Sequence, residues 1–309
     1  MITTVTLNPS VDRTLFLDGL KIHGTNRVKF SETDAGGKGL NVSRIVRESG
    51  GETIAIALLG GGPGAFIECV LAREEVPLCK IDIHGETRMN VSVEDGSGEP
   101  PTTLNERGPE ISNSEWQELL SAVRNYAPRS KWVSIGGSVP RGVPEDADEQ
   151  VFREAREARA MVAVDVDGPR LTSAIALKPD LVKPNRDEAS ALLNREITSL
   201  EDALEAAKEL HSKGIRYAIV SMGSLGASLA CDEGAFSVRA PEIESKSSIG
   251  SGDSLIGGFL HWISDGKSAV DALRWGVACG AATALSSGAA IGVRPDMERL
   301  FEQAKASGL

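Results

Sequence analysis

Short β-rich apolar runs alternate along the chain with longer stretches whose apolar positions recur at helical spacing. Runs at 2–7, 53–59, 131–135, 161–165, 180–183 and 217–221 predict core strands. Helices are expected between them. One begins at Ser112-Asn113-Ser114-Glu115, which reads as a capping box ahead of Trp116, Leu119, Leu120 and Val123. Another follows Gly250-Ser251-Gly252-Asp253, where Leu255, Ile256, Phe259, Leu260 and Ile263 form one apolar face. Strands alternating with helices predict an α/β fold, a three-layer α/β/α arrangement around a mostly parallel sheet covered on both faces.

Two segments break that rhythm. Residues 13–34 and 86–107 carry strand patterns with no helix between them, as in Arg88-Met89-Asn90-Val91-Ser92-Val93 before the turn residues Asp95-Gly96-Ser97-Gly98. They are expected to pair into a small β-sheet lid over the carboxyl ends of the main strands, where open α/β sheets place ligands. The chain then divides into an α/β nucleotide- and substrate-binding domain (1–12, 35–85 and 108–309) and a β lid (13–34 and 86–107). A sheet that small would need its outer apolar face covered, which points to a homodimer through the lid.

Bulk properties narrow the partners. With 309 residues, 41% hydrophobic content and a net charge of −11, the chain reads as a globular protein without the broad basic face that nucleic acid or an anionic membrane needs. An anionic substrate would have to meet a local basic cluster. Cys69, Cys79, Cys231 and Cys279 show no CxxC pairing, and neither a basic leader nor a membrane-length apolar run is evident. A cytoplasmic protein with reduced thiols is expected.

The chemistry concentrates at glycine-rich strand ends. Residues 247–254 aim backbone amides and the Asp253 carboxylate at one helix start, an anion site with a base beside it, although first-turn acids also occur simply for the dipole. Asp12 is expected where the first strand hands over to a loop. In Ala35-Gly36-Gly37-Lys38-Gly39-Leu40-Asn41, a first-turn lysine is opposed by the dipole and predicts a bridging anion. Lys38 and Arg88 could supply the positive patch. Asn185-x-x-Glu188 is a capping arrangement or, equally, a shell for hydrated magnesium. Ser221-Met222-Gly223-Ser224-Leu225-Gly226 is a glycine turn that would suit a nucleotide. A competing pattern is Gly60-Gly61-Gly62-Pro63-Gly64-Ala65 with Asp82 downstream, the spacing of an NAD-dependent oxidoreductase.

These motifs together resemble the PfkB, or ribokinase-like, carbohydrate kinases, specifically the branch acting on ketohexose phosphates. The resemblance runs through Thr6-Leu7-Asn8-Pro9-Ser10-Val11-Asp12, Gly36-Gly37-Lys38-Gly39-Leu40-Asn41-Val42, Thr87-Arg88-x-Asn90, Leu104-Asn105-Glu106-x-Gly108-Pro109, Gly136-Gly137-Ser138-Val139-Pro140, Val182-Lys183-Pro184-Asn185-x-x-Glu188 and Gly250-Ser251-Gly252-Asp253. It implies ATP-dependent phosphorylation of a ketohexose phosphate, with fructose 1-phosphate favoured over the substrates of tagatose-6-phosphate kinase and the minor 6-phosphofructokinase. The last has a lysine where this chain carries Thr25, and a non-catalytic sugar-phosphate sensor on the same fold is the other alternative. By the same resemblance Asp253 is the base and Gly250, Ser251 and Gly252 build the anion hole. Asp12, Gly37 and Asn41 face the sugar, and Lys38, Arg88 and Ser138 its phosphate. Lys183, Asn185, Ser221, Gly223 and Gly226 line the ATP site, and Asn185 with Glu188 holds Mg2+ through water. A monovalent cation, K+, would lie near Ser247, Ile249, Ser286 and Gly288.

Overall fold

The computed structural model describes residues 1–98 and 101–308; Glu99 and Pro100 of the expected lid span and Leu309 of the expected domain lie outside the described residues. The strands in chain order are β1 (Ile2–Thr6), β2 (Ser10–Phe16), β3 (Phe30–Gly36), β4 (Thr53–Leu59), β5 (Leu78–Asp82), β6 (Arg88–Glu94) and β7 (Thr102–Asn105). They continue with β8 (Trp132–Gly136), β9 (Met161–Asp165), β10 (Leu181–Val182), β11 (Tyr217–Ser221), β12 (Gly226–Cys231), β13 (Gly234–Arg239) and β14 (Lys305–Gly308). The large sheet has the order β14-β13-β12-β11-β10-β9-β8-β1-β4-β5, and a separate sheet the order β3-β2-β6-β7. Every pairing from β11 across to β5 is parallel, while β12, β13 and β14 add on antiparallel.

Side-chain alternation explains the layers. Along β4, Ile56 and Leu58 pack with Trp116, Leu119 and Val151 of the helices Asn113–Tyr126 and Ala147–Glu157. Ala55, Ala57 and Leu59 face the other way, onto Leu40, Ile67 and Leu71. In β11, Tyr217 and Ile219 meet Phe259 and Leu260 of the helix Ser251–Ser264, whereas Ala218 and Val220 meet the helix Leu200–Ser212. Successive strand residues thus feed two apolar layers. The Ser112 capping box is present, with the Ser112 hydroxyl accepting from the Glu115 amide and the Glu115 carboxylate accepting from the Ser112 amide. No helix among the described residues is long and apolar enough to cross a membrane.

The topological switch lies at β1, whose neighbours are β4 on one side and β8 on the other. In register, Thr6 pairs with Gly136 and Gly136 with Asp165, while Val182 lies opposite Val164. The carboxyl edge therefore brings Lys183 alongside Asp165. One expectation needs correcting here: Asp12 is not at the end of the first strand but inside β2, part of the separate sheet, opposite Asp34 of β3 and Asn90 of β6. Strand β2 begins at Ser10 because its backbone pairs on both sides with β3 and β6, a long-range constraint no local pattern carries.

Candidate active site

Two lysines and two carboxylates meet at the carboxyl edge. Lys38 Nζ lies 3.2 Å from Asp165 Oδ2 and Lys183 Nζ lies 3.5 Å from Asp165 Oδ1. Asp165 and Lys183 are each buried, with 5% side-chain exposure. Burial would raise the Asp165 pKa, but the two ammonium groups outweigh it and hold the carboxyl below its ordinary value. Burial likewise opposes charge on Lys38, and Asp165 with Asp253 more than restores it. The anion expected to bridge the Lys38 glycine loop is therefore first of all a carboxylate of the chain itself.

Asp253 sits in the first turn of the helix Ser251–Ser264 and is buried. Gly250, at φ 75°, supplies the left-handed turn that starts this helix without a Cβ penalty. Of the first amides, which a helix leaves without intrahelical partners, that of Ser251 reaches the Ser248 carbonyl at 3.3 Å. Asn41 Nδ2 donates to Asp253 Oδ2 at 2.9 Å. Burial first, then the nearby Asp165 charge, raises the Asp253 pKa to about 6, with Lys38, Asn41 and Lys183 opposing. A side chain on Gly252 would meet Lys183 Nζ at 3.3 Å, so the ammonium lies against the helix start. A carboxyl poised near neutrality beside two cations and a helix terminus can accept a proton while charge is stabilised next to it.

Ser251 and Gly252 of that helix start border a cavity of about 470 Å³, lined also by Ser221, Gly223, Gly226, Pro241, Ile243, Val277 and Gly280 among others. Its glycine walls and apolar end suit a nucleotide, and the buried Ser251 hydroxyl that borders it has no partner among the described residues. Asn185 and Glu188 form the capping box, Asn185 Oδ1 accepting from the Glu188 amide at 2.9 Å and Glu188 Oε2 from the Asn185 amide at 2.8 Å. Among the described residues no group of three or more acidic, histidine or cysteine side chains is placed to hold a metal ion.

The sugar-side candidates gather around Asn8. Arg88, at the start of β6, donates from Nε to the Asn8 carbonyl at 3.2 Å and from Nη1 to the Glu106 carbonyl at 2.9 Å, so it is not a free surface arginine. Burial lowers its pKa, against Asp12 and Glu106. Asn8 Nδ2 donates to Ser138 Oγ at 3.0 Å, and Asp12 Oδ1 accepts from Ser10 Oγ at 2.7 Å and Asn90 Nδ2 at 2.9 Å. Gly37, at φ 129°, precedes the helix Lys38–Glu48. In the loop proposed for a monovalent cation, the Gly288 carbonyl already accepts from Ser247 Oγ at 2.7 Å, and Ser286 Oγ donates to the Ile291 carbonyl at 3.3 Å; Ile249 N donates to Ser247 Oγ at 3.2 Å.

The dinucleotide pattern does not survive. The Gly60 amide donates to Thr87 Oγ1 at 3.0 Å, Thr87 N returns to the Gly60 carbonyl at 3.0 Å, and a side chain at Gly60 would run into the Gly85 carbonyl. That helix start is filled by the chain's own crossing into β6, and Asp82 pairs with Lys80 at 2.7 Å. Sequence reasoning, in turn, missed Asp165. Its one local signal is an acid closing an otherwise apolar strand, Met161-Val162-Ala163-Val164-Asp165.

Residues 5–296 match the pfkB family carbohydrate kinases. The chain belongs to that family. It is 33% identical over 309 residues to a 1-phosphofructokinase of Bacillus subtilis, covering 100% of both chains. It superposes on the phosphofructokinase-2 of Escherichia coli, in complex with substrates and products, with a TM-score of 0.92 and 30% identity over 98% of each chain. The likeness to an Arabidopsis thaliana ribokinase, TM-score 0.76 at 21% identity over 97% of this chain and 98% of that one, shows the shared ribokinase-like fold. The chain is thus a phosphotransferase of the sugar-phosphate kinase type, and a dehydrogenase is excluded.

Proposed function

We propose that the chain transfers the γ-phosphoryl group of ATP to fructose 1-phosphate, giving fructose 1,6-bisphosphate. The observation that carries the reading is Asp253, a buried carboxylate with a pKa raised to about 6, in the first turn of a helix whose Ser251 and Gly252 border the nucleotide-sized cavity. The sequence relative named 1-phosphofructokinase directs the choice of sugar. The structural likeness to phosphofructokinase-2, which also forms a complex with fructose-6-phosphate, favours fructose 6-phosphate as the second reading.

In this reading Asp253 Oδ takes the proton of the accepting hydroxyl, and the amides of Gly250 to Asp253 with Lys183 neutralise the moving phosphoryl. Asp12, Gly37 and Asn41 orient the sugar, while Lys38, Arg88 and Ser138 meet its phosphate. Ser221, Gly223 and Gly226 bound the nucleotide, and Asn185 with Glu188 would hold magnesium through water. When bound, that ion supplies charge neutralisation on the phosphates. The separate β3-β2-β6-β7 sheet would close over the cleft to exclude water. Its Phe16 and Phe30 rings stack at 4.2 Å, and Ile22, Phe30 and Leu104 are 78%, 54% and 62% exposed, the apolar surface a second copy would cover in a homodimer. The four free thiols suit a cytoplasmic setting.

The test is product identity. With ATP, magnesium and fructose 1-phosphate, phosphorus NMR should show a second phosphomonoester growing as ADP forms; ATP turnover without it, or no turnover, would overturn the assignment.

A further inference from the structure

Arg44 is a buried cation that the mechanism above leaves idle. It lies in the helix Lys38–Glu48 with a side chain 2% exposed, and every N–H of its guanidinium is engaged. Nε and Nη2 grip Glu74 at 2.6 and 2.7 Å, Nη2 also reaches both Asp34 oxygens at 3.1 and 3.2 Å, and Nη1 donates to the Ala35 carbonyl at 3.0 Å and to Asn41 Oδ1 at 3.4 Å. Asn41, one turn earlier on the same helix, donates through Nδ2 to Asp253. Asp34 and Ala35 belong to β3 of the separate sheet.

The geometry points to Arg44 as a positioning residue for the phosphoryl-transfer base: one guanidinium fixes the Asn41 amide against Asp253 while anchoring strand β3 through Asp34 and Ala35. A guanidinium can only donate, so it selects the Asn41 rotamer with Oδ1 toward itself, and Nδ2 must then face Asp253. The flipped amide would set Oδ1 against the carboxylate. Burial opposes the Arg44 charge, but the Glu74 hydrogen bond and Asp34 outweigh it, so this selection holds across the working pH range. Lysine cannot replace it, because a single ammonium lacks the fork that spans Glu74, Asp34, Ala35 and Asn41.

The inference rests on Asp253 as the base. Asp253 is faced by Lys38 and Asn41 from the Lys38–Glu48 helix, Asp165 from β9 and Lys183 beyond β10, while the Ala269–Ala284 helix presents the Thr283 hydroxyl to Ser254. Losing the Asn41 hydrogen bond therefore moves the acidic limb of the pH profile upward. In Arg44→Lys, assayed below its unfolding temperature, kcat should fall roughly ten- to a hundred-fold, KM for ATP should stay within a few-fold, and the acidic limb of kcat/KM should rise by about one pH unit. Should that variant fail to fold, Arg44→Met combined with Asp34→Asn and Glu74→Gln removes the buried charges together and should show the same kinetic changes. A folded variant of either kind with wild-type kcat and an unmoved limb, whatever its melting temperature, overturns the proposal. Wild-type kinetics there alongside an inactive Asp253→Asn would remove only the Arg44 assignment, whereas an active Asp253→Asn would remove the base itself.

Discussion

Replacing Asp253 by asparagine should make the protein less active and more stable, and the two effects have one cause. The carboxyl is held in a buried site beside Asp165, which raises its pKa from 3.8 to about 6. Below pH 3.8 it is protonated in both folded and unfolded chains and costs nothing. Between that value and 6 the folded chain keeps a proton the unfolded chain has lost, so stability falls as pH rises; above 6 the penalty is complete. A shift of roughly two units corresponds to about 3 kcal/mol at pH 8, an upper figure because the amide must still satisfy Asn41. The neutral amide accepts the same hydrogen bond and escapes the penalty. Asp253→Asn should therefore raise the melting temperature at pH 8 by up to roughly 5 °C, with the gain vanishing towards pH 4. Its kcat should fall by ~10² or more, since the amide cannot take a proton. Thermal unfolding at both pH values beside steady-state kinetics reads both effects. A variant destabilised at pH 8, or one with near-normal turnover, would refute the reasoning.

The cluster around Asp165 makes further outcomes specific. Asp165→Asn leaves Lys38 and Lys183 facing each other and should cost about 3 to 5 kcal/mol in urea unfolding, while its acidic limb moves to lower pH because one carboxylate no longer opposes ionisation of Asp253. Lys38→Ala should move the limb the other way and raise KM for the sugar phosphate roughly ten-fold or more, leaving KM for ATP within a few-fold. Arg88→Ala should show the same KM split without the pH shift. Ser112→Ala, remote from the site, should cost about 1 kcal/mol of stability with kinetics unchanged.

Local signals were legible wherever the cause was local. The Ser112 and Asn185 boxes, the strands 53–59, 161–165 and 217–221, and the helix after Gly250 all follow from spacing and capping within a few residues. Strand limits at 2–7, 131–135 and 180–183 moved by one or two residues, since pairing across the sheet decides where a ladder ends. Strands β12, β13 and β14 escaped notice because they pair antiparallel at the sheet edge, outside the strand–helix alternation. The site was half readable. Glycine loops marked Lys38 and Asp253, but Asp165 lies 127 residues from Lys38 and Asn41 lies 212 from Asp253, so which cation meets which carboxylate depends on sheet order. That is why Lys38, expected to await an external anion, proved to be paired already. Arg44 gave no signal either, because a buried arginine is recognised by its partners and not by its neighbours in sequence.

The central claim is a kinase for a phosphorylated ketohexose, and competition among sugars tests it most directly. Steady-state kcat/KM should be measured by ADP release for fructose 1-phosphate, fructose 6-phosphate, tagatose 6-phosphate, free fructose and ribose under one set of conditions. Arg88 and the Lys38 cluster should favour the phosphorylated sugars by roughly 10² or more over the free ones, with fructose 1-phosphate first. Preference for another of the three phosphates would change the sugar but keep the site. Ribose or free fructose turned over as efficiently as any sugar phosphate would contradict the account.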